Sequence, residues 1–139
     1  MSRKRTVRPA EVFLSHSSRN VHFADRLAKA LAAHGVNSFF SKKNIHGAQE
    51  WHDEIGFALK RCDWFLGVLS PDSVRSTWVK RELVYALQEQ RFESRIIPVL
   101  YKACDANKLS WTLSAFQRID FRKDFHQACH ELFAVWKMD

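Results

Sequence analysis

The order of apolar and amphipathic segments in this chain predicts an α/β fold. Short apolar runs alternate with helical patterns, which implies βαβ units, a parallel sheet and right-handed crossovers. One run, Asp63-Trp64-Phe65-Leu66-Gly67-Val68-Leu69, is nearly all apolar, as expected of a central parallel strand covered on both faces. The chain has 139 residues with only 4 glycines and 3 prolines, which fits one domain and disfavours a sandwich of many tight turns. Five strands and five helices in that length predict a flavodoxin-like, doubly wound five-stranded parallel sheet with helices on both faces. Residues 1–9 read as a basic flexible tail and residues 10–139 as the domain.

Each element has its own signal. Glu11 to Ser15 is the first strand, and the loop His16 to Asn20 behind it is rich in N-cap residues. Phe23, Leu27, Ala30, Leu31 and His34 fall at helical spacing, and Gly35 sits where a left-handed residue would end that helix. Val36 to Phe40 is a second strand, closed by the polar stretch from Ser41 to Gly47. Trp51, Ile55, Ala58, Leu59 and Cys62 mark the next helical stripe, and Asp63 to Leu69 follows as the third strand. Ser70-Pro71-Asp72-Ser73 breaks the chain. A helix is expected from about Thr77 to Arg91, with Val79, Leu83, Ala86 and Leu87 inward. Arg95 to Leu100 is a fourth strand whose Pro98 favours a place near a sheet edge. A longer connection through Leu109 and Trp111 leads to a fifth strand at Phe116 to Ile119. The last helix carries Phe125, Cys129, Leu132, Phe133 and Trp136 on one side.

Composition excludes several classes. Apolar residues make up 46% and charged residues 27%, values of a globular chain rather than a disordered one. No apolar run reaches the 18 or so residues that span a bilayer. The charged N-terminus lacks the hydrophobic stretch of a secretory signal. Cys62, Cys104 and Cys129 are odd in number and lack CxxC spacing, so a reducing cytoplasm is the expected setting. The net charge of +7 is concentrated: Arg3, Lys4, Arg5 and Arg8 stand in a stretch with no acidic residue, leaving 18 basic against 15 acidic side chains in the rest. A solvated lead-in explains such a tail better than nucleic acid or membrane contact.

In a doubly wound sheet, ligands bind beyond the carboxyl ends of the strands, here residues 15–20, 41–50, 70–78 and 101–111. Those loops contain neither GxxxxGK[ST] nor GxGxxG, so the usual nucleotide cradles are absent. Ser15-His16 and Ser70 stand where a phospho-receiver needs aspartates. Neither Ser15-His16 nor Ser17-Ser18 has the surroundings of a hydrolase nucleophile elbow. His126 and His130, four apart, lack an evident third metal ligand and read as solvent-facing, so no metal is expected. More informative is Ser76-x-Trp78-x-x-x-Glu82, which stacks an indole and a carboxylate on one helix face. The inward stripe is offset from this pair, so both are expected along the rim of the crevice. There the indole suits a planar base and the carboxylate its sugar. The same spacing also fits an ordinary capped helix with Glu82 solvated and Trp78 packed on a loop.

Four segments in order carry a resemblance. Val12-Phe13-Leu14-Ser15-His16-Ser17-Ser18-Arg19-Asn20 resembles the opening strand and loop of Toll/interleukin-1 receptor (TIR) domains of the bacterial type. Ile45-x-Gly47-x-x-x-Trp51 with Ile55 is similar to the family's BB loop and the helix after it. Asp63 to Pro71, with Ser76-x-Trp78-x-x-x-Glu82-Leu83, resembles the third strand and catalytic helix, and Ile97-Pro98-Val99 the fourth strand. The match runs from about residue 10 to residue 136.

That resemblance implies one of two activities. Some members are scaffolds that signal by TIR–TIR contact. Others cleave the nicotinamide–ribose bond of NAD+, many of them in bacterial antiphage defence, giving ADP-ribose or a cyclic variant. In the enzymes the glutamate at the position of Glu82 is catalytic, and the aromatic at Trp78 lies against the substrate. The remaining expected substrate contacts are Ser15, Arg19, Phe40, Lys43 and Asp53, with Arg19, Lys42 or Lys43 balancing the diphosphate. Many such enzymes carry an aspartate just after the second strand, where this chain has Ser41. No cofactor is implied, since NAD+ is the substrate. The expected partners are NAD+, further copies of the chain through the loop 41–50, and another protein or domain. The alternative is a non-catalytic TIR interaction module built on the same loop.

One carboxylate suffices for this chemistry. Ordinary glycosidases need a second, acidic group because an alkoxide leaving group must be protonated. Nicotinamide in NAD+ is already a pyridinium and departs neutral. What develops is positive charge on the ribose, which a fixed carboxylate stabilises.

Overall fold

A computed structural model describes residues 8–40 and 48–138, with the backbone alone for residues 48–51. The strands are β1 (Val12–Ser15), β2 (Ser38–Phe39), β3 (Trp64–Leu69), β4 (Ile96–Leu100) and β5 (Ile119–Asp120). The helices are α1 (Val21–Ala33), α2 (Ala48–Arg61), the single turn α3 (Pro71–Val74), α4 (Thr77–Gln88) and α5 (Phe125–Val135). All pairings are parallel and the sheet order is β2-β1-β3-β4-β5. This is the expected α/β doubly wound fold. The strand order reverses between β1 and β3, so the carboxyl ends of those two strands form the switch-point crevice.

Alternation along the strands sorts the core into two layers. Val12, Leu14, Trp64, Leu66 and Val68 face α1 and α5, joined by Leu27, Leu31, Leu132 and Trp136. Phe13, Phe65 and Leu69 face α2 and α4, where they meet Ile55, Ala58, Val79 and Leu83. Each such side chain contributes roughly 1.5–3 kcal/mol when fully buried. The same period of two turns Ser15 with Phe13 toward α4, and this places the site.

Local chemistry sets the ends of the elements. Gly35 takes φ +77° after α1, the conformation that favours glycine. Ser76 caps α4 by accepting from the Val79 N–H at 3.2 Å. Arg91 donates to the carbonyls of Leu59 and Lys60 at the C-terminal end of α2.

Several boundaries differ from the sequence reading. Ser70 does break the chain, but it also starts α3. Its hydroxyl accepts from the Ser73 N–H while the Ser73 hydroxyl accepts from the Ser70 N–H, a reciprocal capping box with Pro71 in the first turn. Helix α4 stops at Gln88 rather than Arg91, because Glu89 is extended and a 3-10 turn, Gln90–Phe92, then buries Phe92. The fifth strand lies at Ile119–Asp120, not Phe116–Ile119. Ser110 caps a 3-10 segment, Trp111–Ala115, that uses up the preceding residues. Strand β2 has two residues instead of five. Pro98 sits in β4, one strand in from the edge, and Pro9 is already buried ahead of the first strand.

Candidate active site

Buried polar side chains gather at one end of the molecule. Ser15, Ser17, Asn20, Ser70, Ser73 and Glu82 all lie at or just beyond the carboxyl ends of β1 and β3, or on the helix packed against them. Water would ordinarily solvate such groups, so each needs a partner. Ser70 donates from Oγ to Asn20 Oδ1 at 2.6 Å, and the Asn20 amide donates to Asp72 at 3.2 Å. Asp72 also pairs with Arg75 at 3.2 Å. This network ties the loop after β1 to α3.

Glu82 is the one charged member. It is 7% exposed and accepts a hydrogen bond from Ser15 Oγ at 2.6 Å. Burial pushes its carboxyl up to about 7, while the Ser15 hydroxyl pulls the other way. Val79, Glu82, Leu83 and Ala86 form the buried stripe of α4, spaced i, i+3, i+4 and i+7. Glu82 therefore points inward against β1. The expectation that it looks along the rim is corrected, whereas Leu87, expected inward, is half-buried and packs against the same core.

Trp78 stands one turn earlier, half-buried. The His52 ring packs against it in a T-shaped arrangement, 5.9 Å between centroids, and the Arg81 guanidinium lies 5.4 Å from the centre of its ring. Asp53 is exposed, with a carboxylate oxygen 3.8 Å from His52 Nδ1. Phe40 follows β2 half-buried, its ring 5.9 Å from that of His16. Arg19 is exposed on the 3-10 turn Ser18–Asn20, its backbone N–H bonded to Ser17 Oγ at 3.2 Å. Thus Ser15 meets Glu82 directly. Trp78 and Asp53 are bridged by His52, and Phe40 adjoins the loop after β1. Lys42 and Lys43, and the loop 41–50 up to Gly47, lie outside the described residues.

Sequence reasoning did not single out His16, His52, Asn20, Ser70 or Ser73. The available signal was polar residues immediately following two apolar strands, the place where a doubly wound sheet exposes its backbone ends.

The cavities formed by described residues differ in position. One of 790 Å³ lies at the opposite, amino end of β3 and β4, lined by Trp64, Glu89, Phe92, Glu93 and Ile96 among others. A void of 10 Å³ lies beside Ser15, Gly67, Val79 and Leu83, about the space of one water. Neither is lined by Glu82. Among the described residues no group of three or more His, Cys, Asp or Glu side chains is placed to hold a metal ion, and His126 and His130 are both exposed. No helix among them is long and apolar enough to cross a membrane.

Fold and site together define a doubly wound α/β domain with a buried acid–hydroxyl pair at its topological switch point. The chain belongs to the TIR domain family, whose sequence profile matches residues 12–133. Its fold is similar to the TIR domain of the Toll-related receptor TRR-2 from Hydra magnipapillata, with a TM-score of 0.73 and 20% identity over 91% of this chain and 97% of that one. The TIR domains of the activated Roq1 resistosome, which directly recognises the effector XopQ, align with a TM-score of 0.68 and 17% identity over 91% and 98% of the two chains. The CMP N-glycosidase BcmB of Clostridium botulinum aligns with a TM-score of 0.56 and 20% identity over 87% and 97%.

Proposed function

We propose that this TIR domain is an NAD+ glycohydrolase in which Glu82 stabilises the ribosyl cation as nicotinamide departs. The observation that carries the reading is the Glu82–Ser15 pair: the one charged side chain among the buried polar group, held at 2.6 Å, at the crevice where this fold places ligands. As the bond from C1′ to the nicotinamide nitrogen breaks, its electron pair stays with the nitrogen and cancels the pyridinium charge. Positive charge then develops on the ribose. The Glu82 carboxylate faces that charge, and the Ser15 hydroxyl, by donating to Glu82, favours its ionised form. Water completes the reaction to ADP-ribose; attack by a group of the nucleotide itself gives a cyclic variant. Trp78 offers a stacking surface for a base, Phe40 and Asp53 line the approach, and Arg19 with Lys43 meets the diphosphate. The proposal includes cytoplasmic action in antiphage defence and activation by self-association through the loop 41–50.

The fold neighbour named as an N-glycosidase is compatible with glycosidic-bond chemistry on this scaffold, though likeness of fold assigns no residue. A second reading, a non-catalytic interaction module, draws on the burial of Glu82, which leaves it 7% exposed. The two readings separate cleanly. Concentrated protein incubated with NAD+ and resolved by chromatography is expected to release nicotinamide, and the co-product tells linear from cyclic ADP-ribose. Intact NAD+ after prolonged incubation at high protein concentration would leave the interaction module.

A further inference from the structure

Asn20 stands at the N-cap position of α1, yet its side chain makes no capping bond there. Asparagine is among the residues best suited to that task. Here the side chain is buried, 4% exposed, and its amide is spent on the far side of the crevice. Its oxygen accepts from Ser70 Oγ at 2.6 Å, and its nitrogen donates to Asp72 at 3.2 Å. The chemistry of the partners fixes that orientation. The Ser70 oxygen already accepts from the Ser73 N–H at 3.0 Å, which leaves its proton to donate, and a carboxylate can only accept. An amide fits between them where neither a carboxylate nor an amine would.

The two segments that this amide joins lead to the acid–hydroxyl pair. Ser15 ends β1, and Asn20 closes the loop behind it, its N–H bonded to the Ser17 carbonyl at 2.8 Å. Ser70 follows β3 and starts α3. The Ser73 carbonyl then accepts from the Ser76 N–H at 3.0 Å, and Ser76 caps α4. Glu82 lies on the second turn of that helix. Ser15 and Glu82 thus belong to separate elements, and their hydrogen bond is 2.6 Å long. A displacement of α4 away from β1 by about 1 Å would take it out of bonding range.

From this we infer that Asn20 is a positioning residue: by bridging Ser70 and Asp72 it holds α4 against β1 in the register that closes the Ser15–Glu82 contact. Its bearing on catalysis rests on the reading of Glu82 given above. Its bearing on the contact does not.

Exchanging the partners tests the bridge. Asn20→Asp still accepts from Ser70 but sets a second carboxylate against Asp72. Adding Asp72→Asn returns a donor to the facing position and rebuilds both bonds with amide and carboxylate exchanged. The readout is a carbon-13 NMR titration of the Glu82 carboxyl in the full chain, its signal identified by its absence in Glu82→Gln. Burial and the Ser15 hydroxyl set that carboxyl, so Ser15→Ala should move its midpoint up from about 7. With Asn20→Asp the contact is already open, and Ser15→Ala should move the midpoint at most about half as far. With Asp72→Asn added, the full displacement should return. Asn20→Ala drops both bonds without adding charge and carries the same expectation should the charged variant not fold. With NAD+ as substrate, Asn20→Asp should lower kcat roughly tenfold or more at little changed KM, and the exchanged pair should recover it. An equal Ser15→Ala displacement with and without the Asn20 substitutions, an exchanged pair no better than Asn20→Asp, or an unchanged kcat in Asn20→Asp would each overturn the inference. NAD+ left intact by the parent would count against the enzymatic reading alone, because the titration needs no substrate.

Discussion

The Glu82 side chain turns inward on α4 and accepts a hydrogen bond from Ser15 Oγ at 2.6 Å. Its identity and its spacing from Trp78 stand in the sequence, and both point to a carboxylate near a ring. Its direction depends on which four positions of the helix are buried, and that is decided by where α4 lands on the sheet. Reading 79, 83, 86 and 87 as the inward stripe sends Glu82 to the rim, whereas the helix buries 82 together with 79, 83 and 86. Burial has a cost that can be measured. Because the folded carboxyl titrates near 7 and an exposed one near 4.5, the folded state holds a proton that the unfolded state has released between those values. Stability attributable to this group therefore falls as pH rises from 4.5 to 7, and stays lower above. Glu82→Gln should leave stability unchanged at pH 4 and raise it at pH 8, by up to about 3 kcal/mol, read from denaturant melts at both values. Ser15→Ala removes the hydroxyl that favours the ionised form. If ionised Glu82 is the working species, the pH–rate midpoint should move up from about 7, with activity lowered at pH 7 and largely recovered at pH 9. A midpoint that stays put would mean that Ser15 acts only in packing.

Elements were legible wherever burial has a simple period. Strand β3 is covered on both faces and reads as an apolar run, and α1 shows its stripe and its terminal glycine. Gly35 adopts φ +77°, and a methyl group there would meet the Arg8 guanidinium at 3.3 Å. Gly35→Ala should therefore cost ~1 kcal/mol or more, seen as a lower urea midpoint at unchanged slope. Less legible were the short pieces. Strands β2 and β5 have two residues each, too few for alternation to show. The turn of α3 and the 3-10 segments are set by side-chain caps, Ser70 with Ser73 and Ser110 with Thr112, that read in sequence as chain breaks or loops. The network through Asn20, Ser70 and Asp72 spans about fifty positions in the chain, and only the parallel pairing of β1 with β3 brings its ends together.

At the scale of the whole molecule, the sheet order fixes where chemistry belongs. The order β2-β1-β3-β4-β5 reverses between β1 and β3, and the buried polar side chains collect at the carboxyl ends of that pair. The 790 Å³ cavity lies at the opposite end of the sheet, so volume does not mark where the buried polar side chains collect. If self-association through the loop 41–50 completes the site, nicotinamide release per molecule should climb with protein concentration. Strict proportionality between rate and concentration across a hundredfold range would show that one copy suffices. Beneath these predictions lies a single claim, that the carboxylate at position 82 lowers the barrier to losing nicotinamide. The rate of nicotinamide release from saturating NAD+, compared between the parent and Glu82→Gln, tests it most directly. The account predicts a fall of a hundredfold or more with little change in KM. Equal rates in the two proteins would contradict it.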